Sequence, residues 1–257
     1  MKDNLLHIPS QEIFVGISFD NIDVILSKSS SGKIKREHIE ACGPAHAVKI
    51  PEFYISKKLV TVADFEDFVE STSYITEAEK EGWGWIWEGG WKKKSGVSWK
   101  NPFGDKNDLR YFNGKDHYPV IQISWNDANE YVKWRSAVSG VKTDLPSEYQ
   151  WEAFATAIAM KSMEEVASDL LAKVESSEDF ICLLGEKLRN NTYQSGLFWE
   201  WTGDWYKAYS PGVYNRDFGE VYKVLRGGSV LSESIQRTRE FRFRRCPLPA
   251  VPIIASE

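Results

Sequence analysis

Leu197-Phe198-Trp199-Glu200-Trp201-Thr202-Gly203-Asp204-Trp205-Tyr206, followed further on by Val224-Leu225-Arg226-Gly227-Gly228-Ser229, decides how this chain is read. Trp199, Trp201 and Trp205 crowd into one short run. Each indole is a large apolar body with one N–H to satisfy. A cluster of them marks either a core with polar struts or a binding surface. Trp201 is expected in the core. The Gly227-Gly228 pair permits positive φ or a close backbone approach that other residues would block.

Upstream, Tyr118-Pro119-Val120-Ile121-Gln122-Ile123-Ser124-Trp125 reads as an apolar strand running into a helix. Ser124 and Asp127 form a capping box, and Gly140 is a natural C-cap. In Asp144-Leu145-Pro146-Ser147-Glu148-Tyr149-Gln150-Trp151-Glu152, Ser147 and Gln150 form another box. Thr61 and Asp64 open a helix expected over residues 63–70, with Phe65, Phe68 and Val69 on one face. Ile13 to Ile17, Val24 to Leu26 and His46 to Ile50 read as strands. Ser27 to Ile34 is a polar loop. Trp83, Trp85 and Trp87 alternate and would point one way on an extended strand. Lys92-Lys93-Lys94 reads as a solvated turn.

Together these stretches resemble the sulfatase-modifying-factor family, which includes the formylglycine-generating enzymes. The central pattern PV-x-x-VSW-x-DA-x-x-Y-x-x-W is matched throughout, with Ile123 for Val. RLPTEAEWE is matched with Asp144 for Arg and Tyr149-Gln150 for the Ala-Glu pair. The resemblance covers about residues 40–155 and 197–245. It implies an α+β chain, a variant of the C-type lectin fold: loop-rich, with short antiparallel sheets and flanking helices, in one domain over residues 1–257. Residues 155–190 depart from it. Ala159, Met163, Val166, Leu170 and Val174 share a helical face, as do Ile181, Leu184 and Leu188. A helical insertion is expected there, either covering the core or docking a partner or another copy of the chain. Val251 to Ala255 is read as a last strand.

The resemblance also implies where chemistry would sit. The family's catalytic enzymes bind copper through two cysteines after RGGS. Those positions hold Ser232 and Arg237 here. A soft Cu(I) site needs thiolates, so copper is not expected. Leu197-Phe198 replaces a Gly-Asn pair, so calcium sites are expected to be lost or weakened. The iron-dependent branch uses three histidines. His7, His38, His46 and His117 stand in no such spacing. No P-loop, dinucleotide motif or nucleophile–base set is visible. No catalytic or metal residue is therefore assigned, and no cofactor is expected.

What stands in place of the cysteines is charge. The run from Arg237 to Arg245, RTREFRFRR, would as a strand set Arg239, Phe241 and Phe243 against Arg242 and Arg244. These arginines either pair with acids elsewhere or build a patch for an anionic ligand or acidic protein. The candidate binding residues are Trp83, Trp85, Trp205, Tyr206, Ser232, Arg237, Arg239 and Arg242. The expected function is a non-catalytic binding or accessory module. The alternatives are a copper- or iron-dependent oxidoreductase, a structural subunit of a larger assembly, and a retroelement-diversified variable binding protein.

Composition narrows the classes. The 257 residues suffice for a sizeable core. A net charge of −5 argues against nucleic acid as a partner. Aromatics make up 14%, with eleven tryptophans, which suits an irregular core filled by large side chains. Cys42, Cys182 and Cys246 are few, odd in number and far apart, and read as reduced thiols of a cytoplasmic protein. No apolar secretory segment opens the chain, and no run is long enough to span a membrane.

Overall fold

The structure is a computed structural model, and it describes residues 5–29, 32–88, 90–104, 118–158, 197–211, 213–229 and 231–247. Short antiparallel sheets and helices alternate along the chain, an α+β architecture. Strand β1 (Leu5–Ile8) pairs with β4 (Phe53–Ser56), and β2 (Gln11–Val15) pairs with β3 (His46–Ile50). The hairpin β5 (Trp83–Trp87) and β6 (Trp91–Ser95) forms a third sheet. A fourth has the order β7 (Glu200–Trp205), β8 (Lys223–Arg226) and β9 (Phe243–Arg245). The helices are α1 (Ile22–Leu26), α2 (Arg36–Glu40), α3 (Val62–Thr72), α4 (Glu77–Glu81), α5 (Trp125–Ser139) and α6 (Glu148–Ala157).

The three expected capping boxes all form. The hydroxyls of Thr61, Ser124 and Ser147 accept from the backbone N–H of Asp64, Asp127 and Gln150 at the starts of α3, α5 and α6. Thr76 and Glu79 do the same for α4. Gly140 closes α5 at φ +67°, a left-handed position that Gly enters without steric cost.

The core is aromatic. Phe65 of α3 meets Trp99 edge-on at 5.3 Å, and Tyr131 of α5 stacks over Phe65 at 5.9 Å. Leu197, Phe198, Trp199 and Trp201 continue this cluster, joined by Leu225 of β8 and Phe241. The deciding stretch is thus core. Trp201 donates its indole N–H to the Ile123 carbonyl at 3.3 Å, and Trp125 donates to Thr202 at 2.8 Å. These two bonds tie β7 to the start of α5.

Four local expectations are corrected, and one strand arises where none was expected. Val24 to Leu26 lies in helix α1 rather than a strand. Its backbone closes locally, Ser27 N–H to Asp23 O at 3.0 Å, and Val24 is 57% exposed, so no sheet face is offered. Tyr118 to Ile123 makes only an isolated bridge, Thr61 to Pro119. Pro119 has no N–H to donate, and Gln122 turns to φ +60° so that its amide reaches the carbonyls of Trp85 and Pro102. Lys92 to Lys94 lie in β6, not in a turn. Leu5–Ile8 forms a strand that its sequence did not announce. Arg237 to Arg245 is not one strand: a 3-10 turn (Ser234–Arg237) precedes the short β9. The neighbours Phe241 and Arg242 are both 1% exposed, one packed in the aromatic core and the other paired with a buried acid. The helical insertion, His117, Cys182 and the closing strand lie outside the described residues, apart from residues 155–158.

Candidate functional site

The site is built on two buried ion pairs that join motifs far apart in sequence. Arg226 of β8 pairs with Glu152 of α6, and both side chains are fully enclosed. Glu152 also accepts from the Gly16 N–H at 3.1 Å, and Arg226 donates to the Phe241 carbonyl at 3.0 Å. Burial pushes the Glu152 carboxyl above the usual range despite Arg226 and the Gly16 N–H, which act the other way. Arg242 pairs with Glu148 at 2.8 Å and donates to the Lys207 carbonyl at 2.7 Å. Its guanidinium lies 4.1 Å from the Tyr209 ring, whose hydroxyl donates to Glu148 at 2.8 Å. Buried charges persist only where they are paired and hydrogen-bonded. The acids of the Ser147–Glu152 motif therefore anchor arginines from both C-terminal motifs.

Next to this frame, the Gly227-Gly228 turn fixes the segment that follows. Gly228 sits at φ +70°, and a Cβ there would lie 2.6 Å from the Gln236 carbonyl and 2.8 Å from Arg237 Cγ. Only glycine lets the turn press on Arg237 this closely. Ser232 is turned inward, its hydroxyl 3.0 Å from the Ser229 hydroxyl and accepting from the Ser229 N–H at 3.0 Å.

The pressed segment borders an open cavity of about 590 Å³. One wall is the Gly16–Lys28 stretch through α1, another the end of α6, and the third the 3-10 turn with Arg237, Arg239 and Glu240. Arg239 donates to Thr156 at 3.0 Å and pairs with Glu240 at 2.7 Å. Ser29 donates to Glu233 at 2.8 Å and ties the Lys28 stretch to the turn.

The eight candidate residues divide. Arg237 and Arg239 come together at this cavity. Trp83 and Trp85 lie half-buried on the β5–β6 hairpin, where the Lys93 ammonium sits 3.6 Å from the Trp83 ring. Trp205 is engaged inside the protein. It and Trp125 enclose the Lys223 ammonium at 3.8 and 3.9 Å, and Lys223 donates to the Gly203 carbonyl at 2.9 Å. Burial lowers the pKa of Lys223. Tyr206, Ser232 and Arg242 are enclosed, at 2%, 6% and 1% exposure, and do not form an open ligand face. Buried hydrogen bonding and charge pairing hold the last two inward. Sequence reasoning missed Lys28 and Thr156. Neither stands in a motif, and only the folding of residues 16–28 against α6 and the turn brings them to the arginines.

Among the described residues, no group of three His, Cys, Asp or Glu could hold a metal ion. No helix there is long and apolar enough to cross a membrane. Cys42 is buried and its thiol is pushed up to about 11, chiefly by burial, while Cys246 is exposed.

A family model described as the sulfatase-modifying factor enzyme 1-like domain matches residues 23–178. The chain belongs to this family. Among its relatives, the formylglycine-generating enzyme of Streptomyces coelicolor is 28% identical, over 73% of this chain and 70% of that protein. The hercynine oxygenase of Mycobacterium tuberculosis is 27% identical, over 77% of this chain and 50% of its own length. The inactive C-alpha-formylglycine-generating enzyme 2 of Mus musculus is 32% identical, over 43% of this chain and 38% of that protein. The solved structure of PvdO from Pseudomonas aeruginosa superposes with a TM-score of 0.58 at 15% identity, covering 96% of this chain and 91% of that one. The family holds proteins named as oxygenases, as formylglycine-generating enzymes and as inactive.

Proposed function

We propose that this chain is a non-catalytic sulfatase-modifying-factor module, a variant of the C-type lectin fold, that binds a protein or anionic ligand at the turn after Ser229. The observation that carries this reading is the fate of the two positions where the family resemblance implies catalytic cysteines. Ser232 is closed onto Ser229, and Arg237 lines the cavity. These residues do not fit copper. A hydroxyl bonded to its neighbour is a poor Cu(I) ligand, and a guanidinium is none. Cys42 supplies no second thiolate, being buried, protonated and bonded to the His38 carbonyl at 3.2 Å. Calcium fits no better at Leu197-Phe198, both of which are packed in the apolar core. The family member named as inactive supplies a precedent for losing the chemistry while keeping the fold.

The test is elemental mass spectrometry of the purified protein, before and after copper or iron loading. Aerobic incubation with copper and a cysteine-containing peptide follows, read as formylglycine by mass. Neither stoichiometric metal nor formylglycine is expected. Formylglycine formed over several turnovers would overturn the reading. Stoichiometric iron would favour the oxidoreductase alternative, which the similarity to hercynine oxygenase over 77% of the chain keeps in view.

A further inference from the structure

We infer that the cavity between α1, the end of α6 and the 3-10 turn is a binding site for a small organic anion carrying an apolar body. This rests on the binding-module reading and names its ligand class. Among the described residues, the cavity lining holds three cationic side chains, Lys28, Arg237 and Arg239, and one carboxylate, Glu240. That carboxylate is already engaged by Arg239. The chain as a whole is acidic, at −5, so a cationic cavity is a local concentration rather than a reflection of composition. Guanidinium forks fit carboxylate and phosphate oxygens in pairs. Thr156 and Glu240 hold the Arg239 fork, and the Gly228 approach seats Arg237, so less side-chain freedom remains to be lost on binding.

The rest of the lining selects the body of the ligand. Ile17, Ile25 and Ile235 contribute apolar wall. A volume of about 590 Å³ matches the range of roughly 300–1,000 Å³ that small-molecule pockets occupy. Charge at one side and branched aliphatic surface at the other suit an amphipathic anion better than a bare inorganic ion.

Calorimetric titration of the full chain with phenyl phosphate, phenylacetate, inorganic phosphate and phenylacetamide tests this. The two aromatic anions are expected to bind saturably. The neutral amide and inorganic phosphate are each expected about tenfold or more weaker, a difference of roughly 1.4 kcal/mol. Arg237→Gln, Arg239→Gln and Lys28→Gln are each expected to weaken phenyl phosphate about tenfold. Lys28 is exposed, so its variant keeps the fold. Lys142→Gln, on an 88% exposed side chain away from the cavity lining, is expected to change nothing. Equal binding of amide and anion, insensitivity to all three cavity variants, or no saturable anion binding would each overturn the assignment. Inorganic phosphate binding as tightly as phenyl phosphate would overturn the apolar half. Loss of anion binding in a protein that also leaves the cysteine peptide untouched refutes this site alone; formylglycine formation refutes the module reading beneath it.

Discussion

Removing one partner of the Arg226–Glu152 pair is the most informative perturbation of the scaffold. Both side chains have 0% exposure, so Arg226→Met leaves a carboxylate enclosed with only the Gly16 N–H, and Glu152→Met leaves a guanidinium with only the Phe241 carbonyl. Breaking a buried pair from one side costs about 3–5 kcal/mol, because the remaining charge keeps its desolvation penalty and loses its compensation. The double variant Glu152→Met/Arg226→Met removes both penalties and is expected to be more stable than either single. Urea unfolding with a shared slope measures all four corners of the cycle. At roughly 2–4 °C per kcal/mol for a chain of this size, each single lowers the melting temperature by about 6–20 °C. A pH arm isolates the charge. Burial already holds the Glu152 carboxyl above its ordinary value, and removing Arg226 raises it further. A carboxylate raised in the folded state costs stability once ionised, and that cost fades as pH falls through its folded pKa. The Arg226→Met penalty should therefore shrink as pH falls through the raised folded value. Singles that cost less than about 1 kcal/mol, or that add without coupling, would refute the reasoning.

Three further outcomes are expected. Trp201→Ala removes a core indole and its bond to Ile123, costing about 3–5 kcal/mol; unchanged melting would place this side chain outside the core. Gly228→Ala meets both a φ of +70° and the Gln236 carbonyl, and should cost more than about 1 kcal/mol in urea unfolding while weakening phenyl phosphate through Arg237. Glu79 titrates in the opposite sense to Glu152. Burial disfavours its ionised form, but Lys100 at 2.8 Å and the Thr76 N–H and hydroxyl outweigh this and lower its pKa. Its stabilisation is complete above the unfolded value and is lost as pH falls through the lower folded value, so the melting difference between the native chain and Glu79→Gln should vanish in acid.

The parts of this fold that could be read directly were those whose signal is local. A capping box needs only a hydroxyl and a carboxylate or amide three residues on, and Thr61, Ser124 and Ser147 all announce their helices this way. Apolar runs were less decisive. Val24 to Leu26 and Tyr118 to Ile123 both look like strands, yet a strand exists only where a partner supplies hydrogen bonds. One run closes on itself as a helix, and the other is broken by Pro119 and the turned Gln122. The site was harder still. Lys28 reaches the arginines across about 200 residues of chain, and no pattern within its own segment marks it.

The arginine-rich end of the chain shows why two opposed readings of one charge run were both needed. Pairing and ligand binding were alternatives for the whole run, but burial divides it residue by residue. A guanidinium at 0–1% exposure has no water to solvate it, so Arg226 and Arg242 are held by Glu152 and Glu148. Arg244, with its side chain 20% exposed, also pairs with Asp217, to which its Nε donates at 2.6 Å. Arg237 and Arg239 come from the same run and line the open cavity, Arg239 while paired with Glu240. Water can solvate that space in the free protein and be displaced by anionic oxygens on binding. The acids paired with the buried arginines are those of the helix motif and do not line the cavity, where Glu240 is the only carboxylate among the described residues. That pairing neutralises two carboxylates of α6 inside the protein, while the end of the same helix lines the cavity. Breaking it should do more than lower stability. Arg242→Met removes the partner of Glu148, on the helix whose far end lines the cavity, and should weaken phenyl phosphate binding in protein that remains folded. Unaltered affinity in that variant would show that the two arginine groups act independently.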